Sequence, residues 1–258
     1  MRKAISSVFL ATLLVSVSAI AADPLVVGME LGYPPFEMTD KTNQPEGVSV
    51  DLARALAAKL NRPLQIENIP YDGLIAALKT GKIDLIISSM TATPEREKSI
   101  DFSKPYANTG LALLLTRNVQ AKTFSDLDKE GNVIAVKKGT TGHQYATKQL
   151  KKAKILVLDK ESAAVLEVLQ GKAQAFVYDQ LSIYRHWKRN AAMTHALLKP
   201  FQQESWAIGV RKGRGDLKSA VDSYLADAKS KGDFKKLGDR WLAEEKAAFA
   251  ELKVPFIF

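Results

Sequence analysis

Ser88, Ser89, Thr91 and Thr93 crowd together just after the apolar run Ile83–Ile87, and Arg96 follows three residues later. Hydroxyls and a guanidinium gathered where a strand hands over to a helix are the parts of an anion site, because the first N–H groups of a helix have no intrahelical acceptor. Thr93 suits the N-cap, Pro94 the first helical position and Glu95 the first turn. Arg96 then sits one turn in, where its planar fork can meet a carboxylate while Ser88, Ser89 and Thr91 supply further donors. The competing reading pairs Arg96 with Glu95, Glu97 or Asp101 and leaves it a helix-stabilising charge.

A second anion-binding turn is Gly139-Thr140-Thr141-Gly142, between a strand at 133–136 and a helix at 143–150. Its backbone N–H groups and threonine hydroxyls suit an anion. It lacks the lysine and spacing of a P-loop, which argues against a nucleotide. Asp179 ends another apolar run; its carboxylate either meets an ammonium group or caps the helix at 181–187. Tyr33 and Tyr71 stand on loops at strand ends, as stacking surfaces for a small ligand or as ordinary packing. Glu30, just past the first strand, either meets a polar or cationic group or is an exposed loop charge. His143, His186 and His195 have no paired ligand spacing, cysteine is absent, and no Gly-x-Ser-x-Gly elbow occurs, so no metal, cofactor or catalytic nucleophile is expected.

These residues need elements to hold them. A strand at 25–29, a helix at 47–60, a strand at 64–69, a helix at 72–79 and a strand at 83–88 spell β-α-β-α-β, the unit of a mainly parallel sheet. The phrase recurs: 74–78, Gly81-Lys82 and 83–89 align with 164–168, Gly171-Lys172 and 173–179, so Ser89 and Asp179 fall at equivalent strand ends. The repeat predicts two Rossmann-like α/β lobes, each with its ligand-facing edge at the C-terminal ends of its strands. The apolar stretches 111–116 and 206–210 are read as the two crossings of a hinge, with one lobe at 22–112 plus 209–258 and the other at 113–208. The amphipathic stretch 216–250 is expected to pack helices on the first lobe.

Residues 1–21 read as an export signal, with Arg2 and Lys3 ahead of an apolar run and small residues before Ala22. Cleavage there would leave a periplasmic protein with no lipid-bearing cysteine. Loss of Arg2 and Lys3 lowers the formal charge from +9 to +7. The excess lysines are scattered along helices without interleaved aromatics, which describes a solvated surface and not a nucleic-acid groove.

Taken together, Tyr33-Pro34-Pro35-Phe36, the stretch 47–52 with Asp51, the corner 88–96, the stretch 101–106, Gly139-Thr140-Thr141 and Asp179 resemble the periplasmic polar amino-acid-binding proteins of ABC importers, nearly end to end. The resemblance implies the type II periplasmic binding fold, a monomer that closes on one amino acid, and delivery to an inner-membrane permease. It places Arg96, Thr91 and the Thr141 backbone on the ligand carboxylate, Ser89 and Asp179 on its ammonium, Tyr33 and Tyr71 beside its side chain, and Glu30 on side-chain polar groups. These residues tilt the expected ligand toward a polar or cationic amino acid. After Gly47 the chain lacks the aromatic-acidic pair common in such proteins. An enzyme of the dehydratase type, with Asp179 or Glu30 as acid, and a sensory module are the alternatives.

Overall fold

The computed structural model describes residues 22–258; the expected export signal lies outside them. In chain order the strands are β1 (Leu25–Met29), β2 (Met38–Thr39), β3 (Pro45–Glu46), β4 (Leu64–Asn68), β5 (Leu85–Ile86), β6 (Asp101–Phe102), β7 (Ala107–Thr116), β8 (Val133–Lys137), β9 (Lys154–Leu158), β10 (Ala175–Asp179), β11 (Thr194–Trp206) and β12 (Gly209–Val210). The helices are α1 (Val48–Lys59), α2 (Leu74–Thr80), α3 (Pro94–Glu97), α4 (Thr141–Gln149), α5 (Glu161–Leu169), α6 (Gln180–Arg189), α7 (Gly215–Ser230), α8 (Asp233–Trp241) and α9 (Ala243–Glu251). None of the described helices is long and apolar enough to cross a membrane.

Two five-stranded sheets carry the two lobes, in the orders β4-β1-β5-β12-β6 and β11-β7-β10-β8-β9. Each has a parallel trio, β4-β1-β5 and β10-β8-β9, extended by an antiparallel pair. The trios are what the repeated phrase predicts, since helical crossovers force parallel pairing. The antiparallel strands are those that flank the two crossings, β6 and β7 at the first and β11 and β12 at the return. Val48, Leu52 and Leu56 on α1 recur at helical spacing and are buried in one core with Leu25, Val27 and Met29 of β1. Leu217, Val221 and Leu225 of α7 join the same core, as the amphipathic pattern demands.

The first crossing sits earlier than the sequence reading placed it, while the return falls inside the stretch 206–210. β7 lies wholly in the second sheet from Ala107, where it pairs with Trp206, so the change of sheet falls at 103–106 and the return at 207–208. Asn108, Thr109 and Gly110 interrupt the apolar pattern and hide the start of β7, but ladder hydrogen bonds use backbone groups and do not need apolar side chains. The two linkers run side by side: Ser103 N–H donates to Ile208 O at 2.9 Å and Tyr106 N–H to Trp206 O at 3.0 Å. Paired linkers of this kind form a two-stranded hinge.

Gly47, at φ 123°, lies where the loop 33–37 folds back on the start of α1, and a Cβ there would stand 2.6 Å from Pro35 O. Only glycine lets the two backbones approach this closely. That approach fixes Tyr33 and Glu37 against the site.

Candidate functional site

The C-terminal strand ends of both lobes face each other across a cleft. The lobes are joined there by Tyr33 Oη donating to Asp179 Oδ2 at 2.7 Å, Arg96 Nη2 donating to Gly139 O at 3.0 Å, and the ion pair Lys138–Asp72 at 2.8 Å. A further ion pair, part-buried, crosses between Glu30 and the buried Lys137. The arrangement is closed, and the cavity it leaves measures about 30 Å³, room for one or two water molecules.

Of the residues singled out in sequence, Glu30, Tyr33, Tyr71, Ser88, Ser89, Thr91, Thr140, Thr141 and Asp179 line this cavity. Arg96 and Gly139 stand behind it, bordering a neighbouring groove beside Tyr71. The local geometry follows the capping pattern. Thr93 Oγ1 accepts from Arg96 N–H at 3.2 Å, and Thr140 Oγ1 accepts from His143 N–H at 3.2 Å while donating to Lys137 O at 2.7 Å. Ser89, on the turn after β5, takes φ 49°, a left-handed conformation that a non-glycine residue adopts at a cost and that occurs often at functional sites.

Arg96 makes none of the competing carboxylate pairs: Lys98 takes Glu95 and Lys212 takes Asp101. Its guanidinium donates to Thr91 O at 2.7 Å and to Gly139 O, and it lies 5.7 Å from the Tyr71 ring centroid. Lys137 Nζ approaches the same ring at 5.4 Å, so Tyr71 meets two cations. Asp179 meets its helix-cap reading and still turns an oxygen toward the cleft. Its Oδ1 caps α6 by accepting from Leu181 and Ser182 N–H at 3.1 Å each, and its Oδ2 faces the cleft and Tyr33. Burial pushes its pKa up to about 6, against the lowering pull of those donors. Tyr33 is fixed in turn by stacking on Phe36 at 5.4 Å and an edge contact with Trp206 at 6.1 Å.

Three charged cavity residues escaped the sequence reading. Glu37 is buried under Ser88 and Ser89, whose hydroxyls donate to it at 3.4 and 3.2 Å. The signal was its place directly after Tyr33-Pro34-Pro35-Phe36. Lys137 ends β8 and faces Glu30. Glu204, on β11, accepts from Thr91 Oγ1 and Thr141 Oγ1, each at 3.0 Å; nothing in its sequence surroundings marks it. The Glu30–Lys137 pair also borders an outer crevice of about 570 Å³ that includes Arg185 and Arg189.

Burial raises the Glu37 pKa to about 8 from an ordinary 4.5, outweighing the lowering effect of the serine hydroxyls and Lys137. Between those values the folded protein keeps a proton that the unfolded chain has released. Its stabilising effect is complete below pH 4.5 and is lost as pH rises through 8. Asp179 acts with the same sign between 3.8 and about 6. The ligand-free protein is therefore expected to unfold at lower urea at pH 8 than at pH 5, and Glu37→Gln should remove most of that difference; an equal pH dependence in the variant would refute the account.

Comparison with known proteins agrees with this two-lobed fold. The model of the bacterial extracellular solute-binding proteins, family 3, matches residues 25–244. The L-arginine-binding protein of Pseudomonas aeruginosa is 31% identical over 234 residues, 85% of this chain and 90% of that protein. A putative binding component of an ABC transporter from Wolinella succinogenes, solved in complex with lysine, superposes with a TM-score of 0.80 at 34% identity, covering 86% of this chain and 97% of the other. An ancestral amino acid-binding protein described as a precursor of cyclohexadienyl dehydratase gives 0.78 at 37% identity, covering 84% and 95%. With two hinged α/β lobes closing on a shared polar cavity, and a family match spanning both lobes, the chain belongs to the bacterial extracellular solute-binding proteins, family 3.

Proposed function

We propose that the protein captures a cationic amino acid between its lobes in the periplasm and, as a monomer, delivers it to the permease of an ABC importer. The observation that carries this reading is the excess of carboxyl groups over cations in the cavity: Glu30, Asp179 and Glu204 line it against Lys137 as the one basic lining residue, and Glu37 adds a fourth carboxyl that a nearby cation would help to ionise. Glu37 and Asp179 have only neutral hydrogen-bond donors. Carboxylates buried without a counter-charge favour an incoming cation. A relative named for arginine and a similar structure solved in complex with lysine support the same class. The lobes supply the mechanism: a ligand that touches both stabilises the closed arrangement over the open one and shifts the population toward it. The protein acts on its ligand by binding alone.

A thermal-shift screen over the twenty amino acids, followed by calorimetry, tests this. Arginine and lysine should give the largest shifts, and the bound ligand should be recovered unchanged. A dominant response to glutamate or aspartate would overturn the ligand class. Turnover of a prephenate-like cyclic acid would favour the dehydratase alternative, to which the ancestral neighbour gives its only support.

A further inference from the structure

The carboxylate of Glu204 stands where two anion-binding features meet. Its Oε2 accepts from Thr91 Oγ1 on the first lobe and from Thr141 Oγ1 on the second, each at 3.0 Å, and its Oε1 accepts from Gln202 Nε2 at 2.9 Å. All three donors are neutral, and the residue is 8% exposed. Thr141 and Gly142 open α4 and line the same cavity, directly after the N-cap Thr140. A helix start and two hydroxyls make a seat for an anion, and the chain's own carboxylate is in it. Glu204 precedes the crossing at 207–208 and pairs with Thr109 of β7, so it belongs to the second lobe and grips the first through Thr91. Each threonine hydroxyl has one proton to donate and both are given to Glu204, so a ligand carboxylate cannot accept them at the same time.

We propose that Glu204 is an internal competitor for the ligand carboxylate: it holds the Thr91–Thr141 seat when the lobes are closed, and an amino acid binds by displacing it. Glu204 thereby determines how strongly the cleft distinguishes an amino acid from the amine that lacks its carboxylate. In the wild type the ligand carboxylate exchanges one carboxylate for another and gains little. With Glu204 removed, the same group meets open donors and gains fully. This rests on the cleft being a cationic amino-acid site.

The test is a cycle of ligand against residue. L-arginine and its decarboxylated form agmatine, and likewise L-lysine and cadaverine, are titrated calorimetrically into the wild type and Glu204→Ala. The ratio of amino-acid to amine affinity should rise by at least about tenfold in the variant. Glu204→Gln keeps the size and loses the charge; it should move the ratio the same way by a smaller factor, and it decides the matter if the alanine variant does not fold. A helix-propping or purely structural role for Glu204 would weaken both members of a pair alike and leave the ratio unchanged, which overturns the proposal while the amino-acid reading stands. If none of the four compounds binds either protein, the cationic amino-acid reading fails and this proposal fails with it.

Discussion

Asp179→Asn is expected to leave the protein folded and to weaken its binding of arginine or lysine by roughly 10- to 100-fold in calorimetry. A charge-assisted hydrogen bond contributes about 1.5–3 kcal/mol, and Asp179 is the cavity carboxylate whose free face points into the cleft. Asparagine caps a helix about as well as aspartate, so the Leu181 and Ser182 N–H groups keep their acceptor, and Tyr33 Oη can donate to the amide oxygen. The substitution removes charge and little else. Asp179→Ala removes more: the α6 cap is worth about 1 kcal/mol, and the buried Tyr33 hydroxyl loses its partner. The alanine variant should therefore lower both affinity and melting temperature. The asparagine variant should lower affinity alone. Asparagine binding within threefold of wild type would remove Asp179 from the ammonium site.

Arg96→Ala is expected to cost the fold and the closure together. Arg96 is 4% exposed, and its guanidinium ties Thr91 O at 2.7 Å to Gly139 O at 3.0 Å, one carbonyl from each lobe. Leaving a buried acceptor unpaired costs about 1–3 kcal/mol, and the loss of the second contact falls on the closed state alone. Calorimetry should show affinity lowered at least about tenfold, and small-angle scattering should show a larger radius of gyration for the ligand-free variant than for the wild type. Arg96→Lys should recover only part, because a single ammonium cannot span both carbonyls as a planar fork does. Wild-type affinity in the alanine variant would exclude Arg96 from both closure and carboxylate binding.

The two residues show how far a sequence reading reaches. That Thr93 and Thr140 cap helices, and that Asp179 can cap one, are contacts over two or three residues, and the order of residue types contains them. The parallel trios and the apolar stripe of α1 are equally local, because strand and helix periods appear directly in the spacing of apolar side chains. β11 was not legible: it runs from Thr194 to Trp206 at the edge of the second sheet, half exposed along most of its length, so its sequence carries no clean alternation. The start of β7 was hidden for a related reason, since its polar residues are held by backbone pairing with that same strand.

The residues that give the cavity its charge lie further out of reach. Glu204 meets Thr91 across 113 positions of sequence and Thr141 across 63, and Lys137 meets Glu30 across 107. The sequence by itself determined two hinged α/β lobes and the donors at their facing edges, because propensity, capping and repeat are local properties of the chain. Only the tertiary structure decided that Arg96 reaches the Gly139 carbonyl and that Glu204 joins Thr91 to Thr141, because Arg96–Gly139 and Thr91–Glu204 are contacts between two separately built lobes that form only when the hinge brings their edges together.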